Sequence, residues 1–420
     1  MKLTRPDTQH IDRTFWVLYA LLIIVAVIAL FSASSSLVYG RHSVLGPVGS
    51  QMLFLLVGVV AAFGIQFLSS RVIRFGGYLL LGFSVLCLYL MLIPHNPFVV
   101  SINGAGRWFN LFGLRFQPSE FAKLSLIIVV ADQLSRIRSE EDKRKYFYRT
   151  LWITLITVAP ILPGNLSTTI LICGIVYLLW FLARISWKYL VAVVTIAVAA
   201  LAIGYCIMEF GYIRPHRAMS RNNPLKRAVT WVSRVDDFIE EVQTPAENKQ
   251  KIVLNDDNYQ RSIAKVAIAR GGKTPLGVLP GNSQERNYLP LAYADYIFAI
   301  IVEETGIIGA VFLCFLYLAV LFRACYVCTR YGDYSAILMV MGLALMLTCQ
   351  ALISMMVAVG IGPVTGQPLP LISRGGTSVV ITSIYFGILL CVSREQLMLR
   401  DRVNEAITDS RTDVPIVTLE

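Results

Sequence analysis

Residues 334–359 read YSAILMVMGLALMLTCQALISMMVAV, a run without one Asp, Glu, Lys or Arg. A helix of that length, at about 1.5 Å per residue, exceeds the ~30 Å hydrocarbon core of a bilayer. Its apolar residues are continuous and do not alternate, so it is no barrel strand. Similar runs lie at 15–34, 51–68, 72–94, 117–134, 150–163, 166–183, 187–208, 293–322 and 375–393. The fold class they predict is all-α: a polytopic membrane protein with about ten transmembrane helices in 420 residues. The composition agrees, with 56% hydrophobic and 15% charged residues, where soluble domains carry roughly 25% charged. A mean hydropathy of +0.65 excludes a soluble enzyme and a disordered chain.

The net charge of +11 first suggests nucleic acid. The cations instead flank the apolar runs, as membrane topology places them. Arg71 and Arg74, Arg136 to Arg149, Arg184 and Lys188, Arg323 and Arg330, and Arg394 to Arg402 all fall on the side that carries the N-terminus. The positive-inside rule makes that side cytoplasmic, with both termini there. The expected organisation is a cytoplasmic N-terminus at 1–14, helices one to seven within 15–208, a large extracytoplasmic loop at 209–292, helices eight to ten within 293–393, and a cytoplasmic tail at 394–420 that is polar and mobile from Thr408 to Glu420. The first apolar run is too long for a cleaved signal core, so it reads as a retained span. Within the loop, 225–241 and 259–270 read as short amphipathic helices. Pro163-Gly164-Asn165 predicts a tight helical hairpin. The lone Cys325-x-x-Cys328 pair and the scattered histidines lack zinc-ligand spacing.

Ionisable residues inside a membrane are costly and each needs a reason. Three stretches supply such residues. In GAGRWFNLFGLRFQPSEFAK (104–123), Pro118 suits the first turn of a helix, Glu120 follows in the same turn, and Lys123 shares its face. The pair is either a packing device or, with Arg107 and Arg115, a cluster for a phosphorylated ligand. In YLPLAYADYIFAIIVEETG (288–306), Asp295 opens the eighth span as a helix-capping acid or as a base. Glu303 is placed on its face about 12 Å deeper, and Glu304 is rotated toward the opposite side; paired Glu at mid-membrane would line a proton or substrate path. GIGPVTGQPLPLISRGGTS (360–378) reads as a rigid outer loop, either a plain connection or a ligand-facing backbone, with Arg374 a further cation.

Together with Tyr259-Gln260 and Gly281-Asn282-Ser283, these blocks resemble the SEDS family (FtsW, RodA and SpoVE), from about residue 15 to 395. GNSQERNYLP and the extended tail are closest to the FtsW branch. The resemblance implies a ten-span peptidoglycan glycosyltransferase that polymerises lipid II on the outer face of the bacterial inner membrane, at the division septum. It implies a catalytic Asp295 and substrate contacts at Gln117, Ser119, Glu120, Lys123, Arg107, Arg115, Arg227, Ser373, Gly375 and Gly376. It also implies a class B penicillin-binding transpeptidase partner, other divisome membrane proteins, surrounding membrane lipid and no nucleic acid. A divalent cation, Mg or Mn, is a candidate aid. Departures from the family pattern fall at Asn165, where an acid is expected, and at Ile263, Ser354 and Arg374. A lipid-linked precursor flippase, an elongation-type polymerase and a non-enzymatic scaffold are the alternatives.

Overall fold

The computed structural model describes residues 11–38, 45–93, 96–102, 105–111, 113–208, 239, 256–279, 281–285, 288, 295–329 and 333–412. Their elements are α1 (Arg13–Val38), α2 (Leu45–Ile65), α3 (Ser70–Leu90), β1 (Val99–Ile102), β2 (Ala105–Leu111), β3 (Leu114–Phe116), α4 (Pro118–Leu134), α5 (Glu140–Val158), α6 (Leu166–Leu182) and α7 (Trp187–Met208). There follow α8 (Asp256–Gly271), α9 (Ile297–Cys328), α10 (Tyr334–Val359) and α11 (Thr377–Thr412). Each of the ten apolar runs lies on a helix, and the 259–270 stretch forms α8. The 225–241 stretch lies outside the described residues apart from Ile239. Among the described residues seven helices are long and apolar enough to cross a membrane: α1, α2, α3, α7, α9, α10 and α11. The remaining three, α4, α5 and α6, are shorter or carry charge, and α4 explains itself by its surroundings.

Every residue of α4 except Phe121 is buried. The helix packs against α3, α5, α6, α10 and α11. It faces protein rather than lipid, which is why it tolerates Glu120, Lys123, Asp132 and Gln133. Close approach is made at two glycines. A Cβ on Gly77 of α3 would lie 2.5 Å from Ile128 Cγ2, and one on Gly342 of α10 would lie 2.6 Å from Ile127 Cγ2. Small residues at such crossings let backbones meet closely, which is how helices associate in lipid.

One end of the bundle is stitched by charge. Asp12 caps α1, accepting from Thr14 N at 3.0 Å, and pairs with Arg323 of α9 at 2.8 Å. Asp12 also accepts from Ser393 of α11. At the same end Arg74 (α3) bonds Asp333, the N-cap of α10, at 2.8 Å, while Asp132 (α4) accepts from Arg136 at 2.7 Å and Tyr78 at 2.7 Å. Arg394 donates to Gln66 O at 3.1 Å, and Ser70 N to Glu395 at 2.8 Å, which ties α11 to the α2–α3 turn.

The segment before α4 has structure of its own. It is an antiparallel sheet of order β1-β2-β3, with Val99 opposite Phe109 and Phe109 opposite Phe116. Rings run from Phe98 through Phe109 and Phe116 to Phe121 at centroid spacings of 5.9, 5.7 and 5.6 Å. This aromatic row fixes the angle at which α4 starts. Asn103-Gly104 between two β-rich runs is the hairpin signal that reveals the sheet in the sequence.

Three helix boundaries differ from expectation. The run at 150–163 belongs to a helix over Glu140–Val158. It starts early because Ser139 and Asp142 form a capping box, and it stops before Pro160 and Pro163. The amides of Arg138 and Ser139 both donate to Asp142, at 3.1 and 3.2 Å. The first of these bonds is the main reason the Asp142 carboxyl lies below its ordinary value. A depressed acid stabilises its fold above the unfolded value and loses that contribution as pH falls through the folded one. The hydrogen-exchange protection of the Arg138 and Ser139 amides, relative to an unstructured peptide at the same pH, is therefore expected to fall only on acidification below the ordinary Asp range. The last helix continues to Thr412, so the tail is helical over 394–412, including the first residues of the stretch expected to be mobile from Thr408.

The third difference concerns the predicted span at 293–322. The helix begins at Ile297, and Gly306 breaks it with φ 67 and ψ −161. The stretch after the break, through Cys328, is long enough by itself, at ~33 Å, to cross the bilayer core. Ile297 to Glu304 are all buried, whereas Ile307, Ile308, Val311, Phe312 and Phe315 are exposed. Ile297–Thr305 is thus a separate arm enclosed by protein. Its interrupted backbone is satisfied from the 275–278 segment: Val278 N donates to Glu303 O at 2.9 Å, and Ile308 N to Pro275 O at 3.3 Å. A Cβ on Gly306 would lie 2.3 Å from Pro275 O. Gly306→Ala is expected to cost at least about 1–3 kcal/mol, the scale of strained backbone, read as a lower unfolding midpoint in detergent.

Candidate active site

Gln117 is extended and Pro118 opens α4. This puts Glu120 in the first turn, with Lys123 one turn deeper. Lys123 Nζ lies 2.7 Å from Glu120 Oε1, and the two side chains are 1% and 8% exposed. The same ammonium donates to Gln350 Oε1 of α10 at 3.1 Å. Gln350 Nε2 then donates to Pro368 O at 3.0 Å. A buried polar chain therefore crosses from α4 through α10 to the loop between α10 and α11.

That loop is held from several sides. Gln367 Nε2 donates to Thr168 Oγ1 of α6 at 2.6 Å, and Tyr317 Oη of α9 donates to Pro370 O at 2.5 Å. Leu369 N donates to Ser373 Oγ at 2.8 Å. Within this frame Leu371 adopts φ 67, unusual for a side-chain-bearing residue. Such conformations persist only where their surroundings over-determine them. Gly366 has φ 62, and a Cβ on it would lie 3.9 Å from Asp295 Oδ2. Asp295 is half-buried, in a turn just ahead of the buried arm. The three stretches singled out from the sequence therefore meet on one loop, with Asp295 beside Gly366 and the Glu120–Lys123 pair tied to Pro368.

The other candidates divide. Ser119 and Ser373 are buried, and Gln117 is half-buried without a capping bond from its side chain. Gly375 and Gly376 turn the chain into α11, where Gly375 O accepts from Ser378 N at 2.9 Å. Arg115 is exposed on β3, opposite Asn110. Arg227 and the side chain of Arg107 lie outside the described residues. Asn165, at the position where an acid was expected, caps α6 by accepting from Thr168 N at 3.1 Å. Gln350, Gln367, Thr168 and Tyr317 escaped the sequence reading. For Gln350 a signal existed, because it is an amide inside a charge-free run. One further cation reaches the base of the loop: a Cβ on Gly360 would meet Lys265 Cε at 2.3 Å, and burial pushes the Lys265 ammonium below its ordinary value.

The expected relation of Asp295 to Glu303 and Glu304 needs correction. Asp295 precedes the helix, so no helical register links it to them. Both carboxylates grip the 281–284 segment. Glu303, fully buried, accepts from Ser283 Oγ and, at 3.1 Å, from Gln284 N, with Arg270 at 3.9 Å. Glu304 accepts from Ser32 Oγ of α1 and, at 3.1 Å, from Gly281 N.

A family model described as a cell cycle protein, FtsW/RodA/SpoVE, matches residues 12–397. The chain belongs to this family. The probable peptidoglycan glycosyltransferase FtsW of Nitrosomonas europaea is 29% identical over 95% of this chain and 97% of its own length. The peptidoglycan glycosyltransferase MrdB of Escherichia coli K12 is 25% identical over 96% and 98%. Among solved structures, a chain of a peptidoglycan synthase complex that coordinates polymerization and crosslinking superposes with a TM-score of 0.67 at 26% identity, covering 92% of this chain and 98% of that one. The rod shape determining protein RodA of Thermus thermophilus shares the fold, with a TM-score of 0.64 at 24% identity over 93% and 99%. Family members thus share the bundle described above over nearly its whole length.

Proposed function

We propose that this chain is a peptidoglycan glycosyltransferase that polymerises lipid II into glycan strands during septal wall synthesis. The observation that carries the reading is Asp295 beside Gly366, on the loop that the buried Glu120–Lys123 pair holds through Gln350 and Pro368. The names of the FtsW and MrdB relatives support it.

The chemistry needs one base. An acceptor sugar hydroxyl attacks the anomeric carbon of the donor, and its proton passes to the Asp295 carboxylate. The bond from that carbon to the pyrophosphate oxygen breaks, with inversion, and polyprenyl pyrophosphate leaves with the electron pair. This leaving group needs charge stabilisation and no acid, so the two-carboxylate layout of glycosidases is unnecessary. Lys123 has two of its three donors committed among the described residues. The third, with Arg115, Arg107 and Arg227, serves the departing pyrophosphate. Among the described residues no three His, Cys, Asp or Glu side chains gather as metal ligands. A Mg or Mn ion held by one or two carboxylates together with substrate phosphates needs no such cluster, and the steps above use only this chain's own residues.

The proposed orientation puts the stitched end of the bundle, both termini and the helical tail in the cytoplasm. The 209–292 loop then faces outward, where a class B penicillin-binding transpeptidase and divisome membrane proteins dock. Reconstitution in vesicles with lipid II separates the polymerase from a flippase. Glycan chains on a gel support the proposal, whereas leaflet exchange without chains overturns it.

A further inference from the structure

The arm Ile297–Thr305 is the only covalent support of Asp295 on its C-terminal side, and it is cut off from the spanning part of α9 by the break at Gly306. Its direction must therefore be set by what grips it. The backbone break is filled by the 275–278 segment. The close approach depends on Gly271 and Gly277, where an added Cβ would lie 2.1 Å from Val302 O and 2.5 Å from Glu303 O. The side-chain grip comes from two adjacent carboxylates pointing to different partners. Glu303 takes Ser283 and Gln284 with Arg270 nearby, and Glu304 takes Ser32 of α1 and Gly281. Arg270 also lies 3.8 Å from Glu285 and donates to Gln284 Oε1 at 2.6 Å. One guanidinium thus sits between two carboxylates and fixes the 281–285 segment.

Burying two carboxylates is costly unless each is hydrogen-bonded. Here each has two donors, and every donor belongs to a different part of the chain from the arm itself. A purely local packing role for the arm would be served by apolar side chains at 303 and 304, as at Ile297 to Val302. We propose that Glu303 and Glu304 are positioning residues for the polymerisation described above: they lock the buried arm to α1 and to the 281–284 segment and so hold Asp295 at Gly366. This inference rests on the proposed function. The two residues touch no substrate and act through Asp295.

The test measures kcat and KM for lipid II with the full chain and its transpeptidase partner. Glu303→Ala is expected to lower kcat by about 10- to 100-fold, the scale on which a small misplacement acts, with KM within about two-fold, because substrate binding elsewhere is untouched. Glu303→Gln keeps an oxygen to accept from Gln284 N and gains an amide that donates to the Ser283 hydroxyl, and is expected to restore kcat to within about three-fold of wild type. Should Glu303→Ala fail to fold, Ser283→Ala and Glu304→Ala decide the matter, each lowering kcat with KM unchanged. Folded variants with wild-type kcat, or with a raised KM alone, overturn the positioning role. A wild-type chain that makes no glycan overturns the proposed function instead, so the two failures are distinct.

Discussion

Asp295→Asn lowers the rate of glycan polymerisation by about 10²- to 10⁴-fold, the contribution of a positioned general base. The unfolding midpoint and the affinity for lipid II stay at wild-type values. The substitution preserves shape and removes only the ability to take a proton. Asp295 lies in the turn before Ile297 and beside Gly366. The arm that follows is held by Glu303, Glu304 and Gly306, none of which depends on the charge at 295. Single-turnover polymerisation with purified variant and partner measures the drop. A variant that still polymerises at the wild-type rate removes Asp295 as the base.

The second large effect concerns Lys123. Its side chain is 1% exposed and holds Glu120 at 2.7 Å and Gln350 at 3.1 Å. Lys123→Met leaves Glu120 as a buried charge without its partner and frees the Gln350 link to Pro368. Breaking one side of a buried pair costs about 3–5 kcal/mol, so the unfolding midpoint falls and polymerisation is lost. The double variant Glu120→Gln/Lys123→Met removes both charges. It is expected to recover most of the stability, because replacing a buried pair by neutral groups is often neutral, and to remain inactive. Recovery of both stability and activity would make the pair a packing device alone. Thermal unfolding in detergent, read beside the polymerisation assay, separates these outcomes.

What the sequence disclosed follows the strength of its signals. Ten helices were legible because a bilayer demands long uninterrupted apolar runs, of which 334–359 is the plainest. The three stretches that meet on the 361–376 loop were legible because Glu120, Lys123 and Asp295 are charges where charge is expensive. Other features carry weaker local signals or rest on contacts between distant stretches. The β1–β3 sheet hides in a segment whose aromatic residues suit a membrane surface as well as a strand. The break at Gly306 is one glycine in an apolar run, and only the arrival of Pro275 and Gly277 gives it meaning. Glu303 and Glu304 read as path-lining acids until Ser283, Gln284, Gly281 and Ser32 are found around them. Gln350 and Thr168 matter through the loop backbone and side chains they bond, which are far away in the chain.

The claim beneath all of this is that Asp295 and Lys123, from two distant stretches, serve one lipid-borne sugar. A structure of the chain with lipid II bound tests it directly. The account predicts a sugar hydroxyl about 3 Å from the Asp295 carboxylate, with the pyrophosphate on the Lys123 side of the 361–376 loop. A headgroup seated elsewhere, with Asp295 turned to hydrocarbon, would contradict it.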